Sequence, residues 1–146
     1  MIVIGIDTGT HTGVAIAVNG ILQELHTTDF WGCITIIKNA PLYHNGDKVT
    51  VVIEKSKTKH VWQKNARGGK QNSVSFDVGK PYHHAELIEE YCQKNGIDCI
   101  TKHPQGKIDA EQFALATGWT KRCSQHARDA GMLALTTSKR VALSIK

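Results

Sequence analysis

Hydrophobic and polar residues follow one another along this chain in blocks that predict an α/β fold. The first block, Ile2 to Ile6, is apolar apart from Gly5, which is typical of a buried strand that ends at about Asp7. A Gly/Thr turn leads into a second apolar strand over residues 14–18. The pair Asn19-Gly20 then predicts a type I′ hairpin into a third strand over residues 21–27. Three antiparallel strands therefore open the domain.

The middle of the chain predicts helix, strand and helix in turn. Asp29 is a candidate N-cap for a first helix, whose periodicity places four apolar residues on one face: Trp31, Ile34, Ile37 and Leu42. An apolar strand over residues 49–54 follows, and it ends in Glu54. A second helix is predicted from about Pro81 to Asn95-Gly96, with this apolar face: Ala85, Leu87, Ile88, Tyr91 and Cys92.

The last third of the chain predicts a short strand and two helices. Residues 97–101 form the strand, and Asp109 with Gln112 has the spacing of a capping box for a short helix that ends at Gly118. The final helix is predicted from about Ser124, with a face of small residues: Ala127, Ala130, Leu133 and Ala134. The pattern predicts one domain over residues 1–146, with a five-stranded mixed sheet flanked by helices.

Composition narrows the classes of protein that fit this pattern. The chain has 146 residues, of which 40% are apolar and 21% charged, as in globular proteins. No apolar run approaches the roughly 18 residues that cross a bilayer, and no signal peptide is recognised. These features predict a cytoplasmic protein without a membrane partner. The four cysteines lack Cys-x-x-Cys spacing, which argues against a zinc site.

Positive charge is concentrated in one segment. The net charge is +5, and the stretch between Glu54 and Asp77 contains no acid, whereas it holds Trp62 and six basic residues. Those basic residues are Lys55, Lys57, Lys59, Lys64, Arg67 and Lys70. Such a segment repels itself, so it predicts a polyanionic partner such as nucleic acid. The alternative is a solvated surface loop.

Four residues predict a metal site. Asp7 and Glu54 each end an apolar strand, and His126 and Asp129 stand three residues apart on one face of the last helix. If that helix packs over the two strand ends, three carboxylates and one imidazole converge, and divalent cations would neutralise them. Such ligands suit Mg²⁺ or Mn²⁺, and a pair of these ions can catalyse phosphodiester hydrolysis.

Three of these four residues also have an ordinary structural role available. Asp7 is placed to cap the Gly/Thr turn through backbone N–H groups. Asp129 has the spacing to pair with Arg128 or Lys121, and His126 fits a surface position at a helix start. The four residues together, in this order on these elements, favour the metal site.

The motifs resemble those of the RuvC-type Holliday junction resolvases, members of the RNase H-like superfamily. They are Gly5-Ile-Asp7-Thr-Gly-x-x-x-Gly13-Val-Ala, Val-Val-Ile-Glu54 and His126-x-x-Asp129-Ala. The resemblance covers nearly the whole chain and implies Asp7, Glu54, His126 and Asp129 as catalytic residues, with Asp7 shared by two Mg²⁺ or Mn²⁺ ions. The family has either His or Asp at the position that His126 matches.

The resemblance also implies DNA contacts and an assembly. Val61-Trp62-Gln-Lys64-Asn65-Ala66 is similar to the family's segment that stacks at the junction centre, which nominates Trp62, or Val61, as the wedge. Lys107 matches a functional lysine after the fifth strand. The implied partners are branched DNA and a second copy of the chain, and the implied phosphate contacts are Lys55, Lys64, Arg67, Lys107 and Arg128. The basic, Gly-rich loop resembles phage-encoded members, which work in the host cytoplasm.

Three other interpretations compete with this one. The YqgF/RuvX-type nucleases of ribosomal RNA precursors share the length and the Asp-x-Gly turn but lack the strand that ends in Glu54 before a basic aromatic loop. Actin-like sugar kinases share the opening turn but need two such domains. A non-catalytic DNA-binding module of the same fold would lack affinity for Mg²⁺ or Mn²⁺ at the acidic cluster.

Overall fold

A computed structural model describes residues 1–43, 45–55 and 71–144 of the chain. The described elements follow one another in the order strand, strand, strand, helix, strand, helix, strand, helix, helix. The strands are β1 (Ile2–Asp7), β2 (Thr12–Val18), β3 (Ile21–Thr28), β4 (Val49–Glu54) and β5 (Asp98–Lys102). The helices are α1 (Phe30–Tyr43), α2 (Gln71–Lys94), α3 (Ala110–Thr117) and α4 (Gln125–Ser144).

The five strands form one mixed sheet in the order β3-β2-β1-β4-β5. β1 pairs antiparallel with β2, and β2 pairs antiparallel with β3. β4 pairs parallel with β1, and β5 pairs parallel with β4. The predicted α/β class, with three antiparallel strands and then two parallel ones, is therefore confirmed.

Side chains alternate between the two faces of the sheet, and each face has its own core. Ile2, Ile4 and Ile6 of β1 pack with buried residues of α1 and α2. Val3 of β1, together with Val52 of β4, lies on the opposite face and packs against α4. The buried side of α4 is the predicted face, namely Ala127, Ala130, Leu133 and Ala134.

Local signals in the sequence account for most of the turns and caps. Asn19 and Gly20 have φ values of 50° and 81°, as the predicted type I′ turn requires. The Asp29 carboxylate accepts a hydrogen bond from the Gly32 N–H at 2.8 Å and caps α1. The Asp109 carboxylate caps α3 in the same way through the Gln112 N–H, at 2.8 Å.

The buried faces of the first two helices correct the sequence-based prediction. Trp31 and Leu42, predicted to face the core, are 73% and 79% exposed, and Leu87 is 47% exposed. In α1 the buried positions are Cys33, Ile37 and Ala40. Nearly every residue in the first half of α1 is apolar, so the pattern alone leaves the rotational phase of the helix undetermined.

The second helix also begins earlier than predicted. Pro81 lies inside α2, which the structure describes from Gln71 onward. The carbonyl of Pro81 accepts a hydrogen bond from the Thr8 hydroxyl at 2.9 Å, so α2 is tied to the turn that follows Asp7. No helix in the described part of the chain is long and apolar enough to span a membrane.

Candidate active site at the carboxyl ends of β1 and β4

The first two acids lie side by side at one edge of the sheet. In the parallel pair of β1 and β4, Ile6 is opposite Ile53, so the next position along brings Asp7 beside Glu54. Alternation along each strand gives Asp7 the same face as Val3, and Glu54 the same face as Val52. This is the face that packs against α4.

Two glycines allow α4 to lie directly on the sheet. A Cβ atom built on Gly5 would overlap the carbonyl oxygen of Ala130, and one built on Gly13 would overlap that of His126. Gly13 is opposite Asp7 in the β1–β2 pairing. The close approach of the helix at Gly13 therefore sets His126 next to the end of β1.

His126 and Asp7 are joined by a hydrogen bond. The distance between His126 Nδ1 and Asp7 Oδ2 is 2.7 Å. Asp7 is 9% exposed, and burial raises the pKa of its carboxyl, although the hydrogen bond and charge of His126 act in the opposite direction. The charge of Asp129 raises this pKa further, whereas that of Lys107 lowers it.

Glu54 lies within the same electrostatic neighbourhood. Burial raises its pKa, and the charges of Asp7 and Asp129 add to the effect. The backbone N–H of Gln105 donates a hydrogen bond to the Glu54 carboxylate, and both this bond and the charge of Lys107 lower the pKa. Asp7, Glu54 and Asp129 therefore lie within electrostatic range of one another, and the charge of Lys107 acts on the first two.

Asp129 does not form either of the ion pairs that would give it a purely structural role. Among the described residues, its carboxylate has no ion pair with Arg128 or Lys121. It accepts a hydrogen bond from the Gln125 amide at 2.7 Å. Because that donor is neutral, the negative charge of Asp129 remains uncompensated by any direct partner in the described chain.

The predicted phosphate-binding residues have different surroundings. The Lys107 side chain is exposed on the loop after β5. Arg128 is partly buried, and its guanidinium donates to the carbonyl of Cys123 at 3.0 Å and to the side chain of Gln125 at 2.7 Å. Lys55 forms an ion pair with Glu89 of α2 and lies 5.1 Å from the centre of the Tyr82 ring.

The remaining predicted contacts cannot be placed on this site. Trp62, Lys64 and Arg67, together with the alternative wedge Val61, lie outside the described residues. Their roles in DNA binding remain predictions from the sequence. The described end of β4 leads directly into that segment, since Lys55 is the last described residue before it.

The ligand chemistry of the cluster suits a hard divalent cation. Its donors are carboxylate oxygens and one imidazole nitrogen, which Mg²⁺ and Mn²⁺ accept. As the side chains are placed, no three His, Cys, Asp or Glu groups in the described ranges lie close enough together to hold one ion. Cation binding would therefore require side-chain movement that brings Glu54 or Asp129 closer to Asp7.

Gln125 also belongs to this site, although the sequence pattern does not single it out. Its amide lies between Asp129 and the loop that carries Lys107, since it also donates to the Ile108 carbonyl at 3.1 Å. A signal was present, because Gln125 and Asp129 are four residues apart on a helix, where Gln and Asp side chains can hydrogen-bond. The Gln105 N–H that contacts Glu54 had no such signal.

A scan of the chain against protein-family models gives no match, and a search of curated proteins gives no significant match.

Proposed function

We propose that this chain is a metal-dependent endonuclease of the RuvC type, with an RNase H-like fold, that cleaves branched DNA and four-way junctions in particular. The observation that carries the proposal is the convergence of Asp7, Glu54 and Asp129 beneath the start of α4. Burial and mutual repulsion raise the pKa values of Asp7 and Glu54. Clustered carboxylates that repel one another are the usual setting for cation binding at a functional site.

The candidate ligands are the three carboxylates and the imidazole of His126. When bound, divalent cations would supply Lewis acidity, activate water and stabilise the charge that develops on the phosphate during in-line attack. His126 orients the Asp7 carboxylate through their hydrogen bond. The exposed ammonium of Lys107 lies close enough to influence Asp7 and Glu54, and it would attract a phosphate to the same place.

The choice of branched DNA rests on the sequence. The motifs around Asp7, Glu54 and His126 resemble those of junction resolvases in order and spacing, and the basic segment after Glu54 would bring DNA to the acids. By the same resemblance the protein acts as a homodimer, which would place two sites on opposing strands. Cleavage would leave a 3′-hydroxyl, and two Mg²⁺ or Mn²⁺ ions would serve each site.

The decisive experiment is cleavage of a synthetic four-way junction beside linear duplex, flap and single-stranded DNA of matched sequence. Each substrate is incubated with Mg²⁺, with Mn²⁺ and with a chelator. We expect metal-dependent cleavage of the junction in preference to the linear controls. In Asp7→Asn we expect cleavage to fall by at least about 100-fold, or ~2.7 kcal/mol in the barrier, because a ligand charge is lost.

Binding of the junction provides the control for that variant. Asp7→Asn should retain the affinity of the wild type for the junction in chelator, because the basic surface is unchanged. Undiminished cleavage by Asp7→Asn would exclude the proposed site. Equal cleavage of junction and linear DNA by the wild type would keep the nuclease but reject the proposed substrate.

A further inference from the structure

Gln125, the first residue of α4, is hydrogen-bonded on three sides. Its Nε2 donates to Asp129 Oδ1 at 2.7 Å and to the Ile108 carbonyl at 3.1 Å. Its Oε1 accepts from Arg128 Nη2 at 2.7 Å. Both protons of the amide and its oxygen therefore have partners, and the side chain is held in one position.

The chemistry of these partners also fixes which way round the amide lies. An ionised carboxylate and a carbonyl can only accept hydrogen bonds, and a guanidinium can only donate them. The NH₂ group of Gln125 must therefore face Asp129 and Ile108, and its oxygen must face Arg128. Arg128 reinforces the arrangement from its other nitrogens, which donate to the carbonyls of Cys123 and Ile108 at 3.0 and 3.4 Å.

The loop held by this network reaches the candidate active site. Ile108 follows Lys107 directly in the chain, and Gln105 in the same loop donates its backbone N–H to Glu54. Gln125 thus connects Asp129 on the helix with the loop that contacts Glu54 and carries Lys107. Each of these groups acts at the acidic cluster, whereas the Gln125 side chain, within the described residues, hydrogen-bonds to Asp129, Ile108 and Arg128.

We infer that Gln125 is a positioning residue for the cation site, a role that rests on the proposed nuclease function. By occupying Oδ1 of Asp129, its amide fixes the carboxylate and leaves Oδ2 to bind a cation. By bonding to Ile108, it keeps Lys107 and the Gln105 N–H in place beside Glu54. Partners that hydrogen-bond to metal ligands in this manner contribute about 10- to 100-fold to metal affinity.

The test compares Gln125→Met, which keeps the length of the side chain but removes its donors and acceptor, with Gln112→Met as the matched control. Gln112 is exposed on α3. Mn²⁺ affinity is measured by titration calorimetry well below the melting temperature. We expect the dissociation constant of Gln125→Met for Mn²⁺ to rise about 10- to 100-fold, and that of Gln112→Met to equal the wild-type value.

Two further measurements separate positioning from general stability. In junction cleavage, Gln125→Met should require a correspondingly higher Mn²⁺ concentration for half-maximal rate, while the rate at saturating Mn²⁺ returns towards that of the wild type. In metal-free protein, hydrogen exchange at residues 103–108 should accelerate several-fold. The second measurement requires neither metal nor DNA.

The outcomes distinguish this role from the function on which it rests. If the wild type binds no Mn²⁺, the metal site is overturned and the positioning role with it. If the wild type binds Mn²⁺ but Gln125→Met has unchanged Mn²⁺ affinity, only the role of Gln125 is overturned. A lower saturating rate with unchanged Mn²⁺ affinity would equally reject positioning, and unchanged exchange at residues 103–108 would reject the link to the loop.

Discussion

His126 and Asp7 are 119 positions apart in the chain, yet their side chains form a 2.7 Å hydrogen bond between Nδ1 and Oδ2. When the Asp7 carboxylate is ionised it only accepts hydrogen bonds, and the N–H at His126 Nδ1 is then the donor. The contact depends on the backbone at Gly13, where α4 approaches β2 so closely that a Cβ atom has no room. The packing of α4 against Gly13 therefore sets the position of His126 relative to Asp7.

Replacement of His126 tests whether its imidazole serves the proposed site. The resolvases whose motifs this chain resembles have His or Asp at this position, so under the proposed function His126→Asp should cleave four-way junctions within about tenfold of the wild type. His126→Ala should lose at least ~100-fold, or about 2.7 kcal/mol. Single-turnover cleavage at saturating Mn²⁺ measures both rates. Wild-type activity in His126→Ala would show that the imidazole is dispensable.

The raised pKa of Glu54 predicts a change in stability with a defined sign. Its folded-state pKa exceeds the ordinary value of 4.5, chiefly because of burial and then the charge of Asp7. The folded chain therefore binds this proton more tightly than the unfolded chain, and the free energy of unfolding falls as pH rises above that value. Glu54→Gln removes this penalty, so in chelator it should be more stable than the wild type at pH 7.

Glu90 provides a control, because its pKa is shifted in the opposite direction from that of Glu54. Its pKa is lowered by the hydrogen bond and charge of Lys94. Glu90→Gln should therefore be no more stable than the wild type at neutral pH. Melting temperatures from pH 4 to pH 8 measure both effects, and the advantage of Glu54→Gln should shrink as the pH approaches 4. If Glu54→Gln is less stable than the wild type at pH 7, the pKa of Glu54 is not raised in the folded protein.

Much of this site could be predicted because its parts are set by local pattern. The strands that end at Asp7 and Glu54 are visible as continuous apolar runs, and the helix face of small residues that includes Ala127 and Ala130 is visible as a spacing of three to four residues. Two parallel strands bring their carboxyl ends to the same edge of a sheet. The convergence of the acids then follows from packing the small-residue face on that sheet.

The errors come from features that local pattern does not determine. Pro81 was predicted to begin a helix because proline favours the first turn, but in the fold its carbonyl bonds to Thr8 and the helix continues through it. The phosphate contact of Arg128 stays a prediction, but the hydrogen bonds of its guanidinium to the carbonyls of Cys123 and Ile108, which lie on two loops, had no signal in the sequence. Contacts between separate loops leave no periodic signal in the sequence.

The glycines under α4 predict a steric effect on both stability and function. In Gly13→Ala the new methyl group would overlap the carbonyl oxygen of His126, and in Gly5→Ala that of Ala130. We expect each variant to lose about 1–3 kcal/mol or more of unfolding free energy, as over-packed cores do. Chemical denaturation measures the loss, and Gly13→Ala should also reduce cleavage because His126 is displaced.

The matched control for these variants is Gly106→Ala. A Cβ at Gly106 meets no atom within 4 Å, so the substitution should leave the unfolding free energy within about 0.5 kcal/mol of the wild type. If Gly5→Ala and Gly13→Ala are as stable as Gly106→Ala, the helix does not lie on the sheet as closely as described.

Lys107 and Arg128 are both basic, but their surroundings predict different effects on DNA binding and stability. Lys107 is exposed, so Lys107→Ala should leave the melting temperature unchanged and weaken junction binding. If it contacts one phosphate, the slope of log affinity against log salt should become shallower by about 0.9. Arg128→Ala should instead lose about 1–3 kcal/mol of stability, because it leaves the carbonyl of Cys123 and Oε1 of Gln125 without the donor that each has in the described chain. Its salt slope should match that of the wild type.

Junction affinity in chelator, measured over a series of salt concentrations, gives both slopes, and thermal unfolding gives the stabilities. A shallower slope in Arg128→Ala at unchanged melting temperature would support the phosphate contact predicted from the sequence over the bracing role. An unchanged slope in Lys107→Ala would remove the phosphate contact from Lys107. Its remaining effect on the site would then be the lowering of the pKa values of Asp7 and Glu54, which cleavage rates as a function of pH would detect.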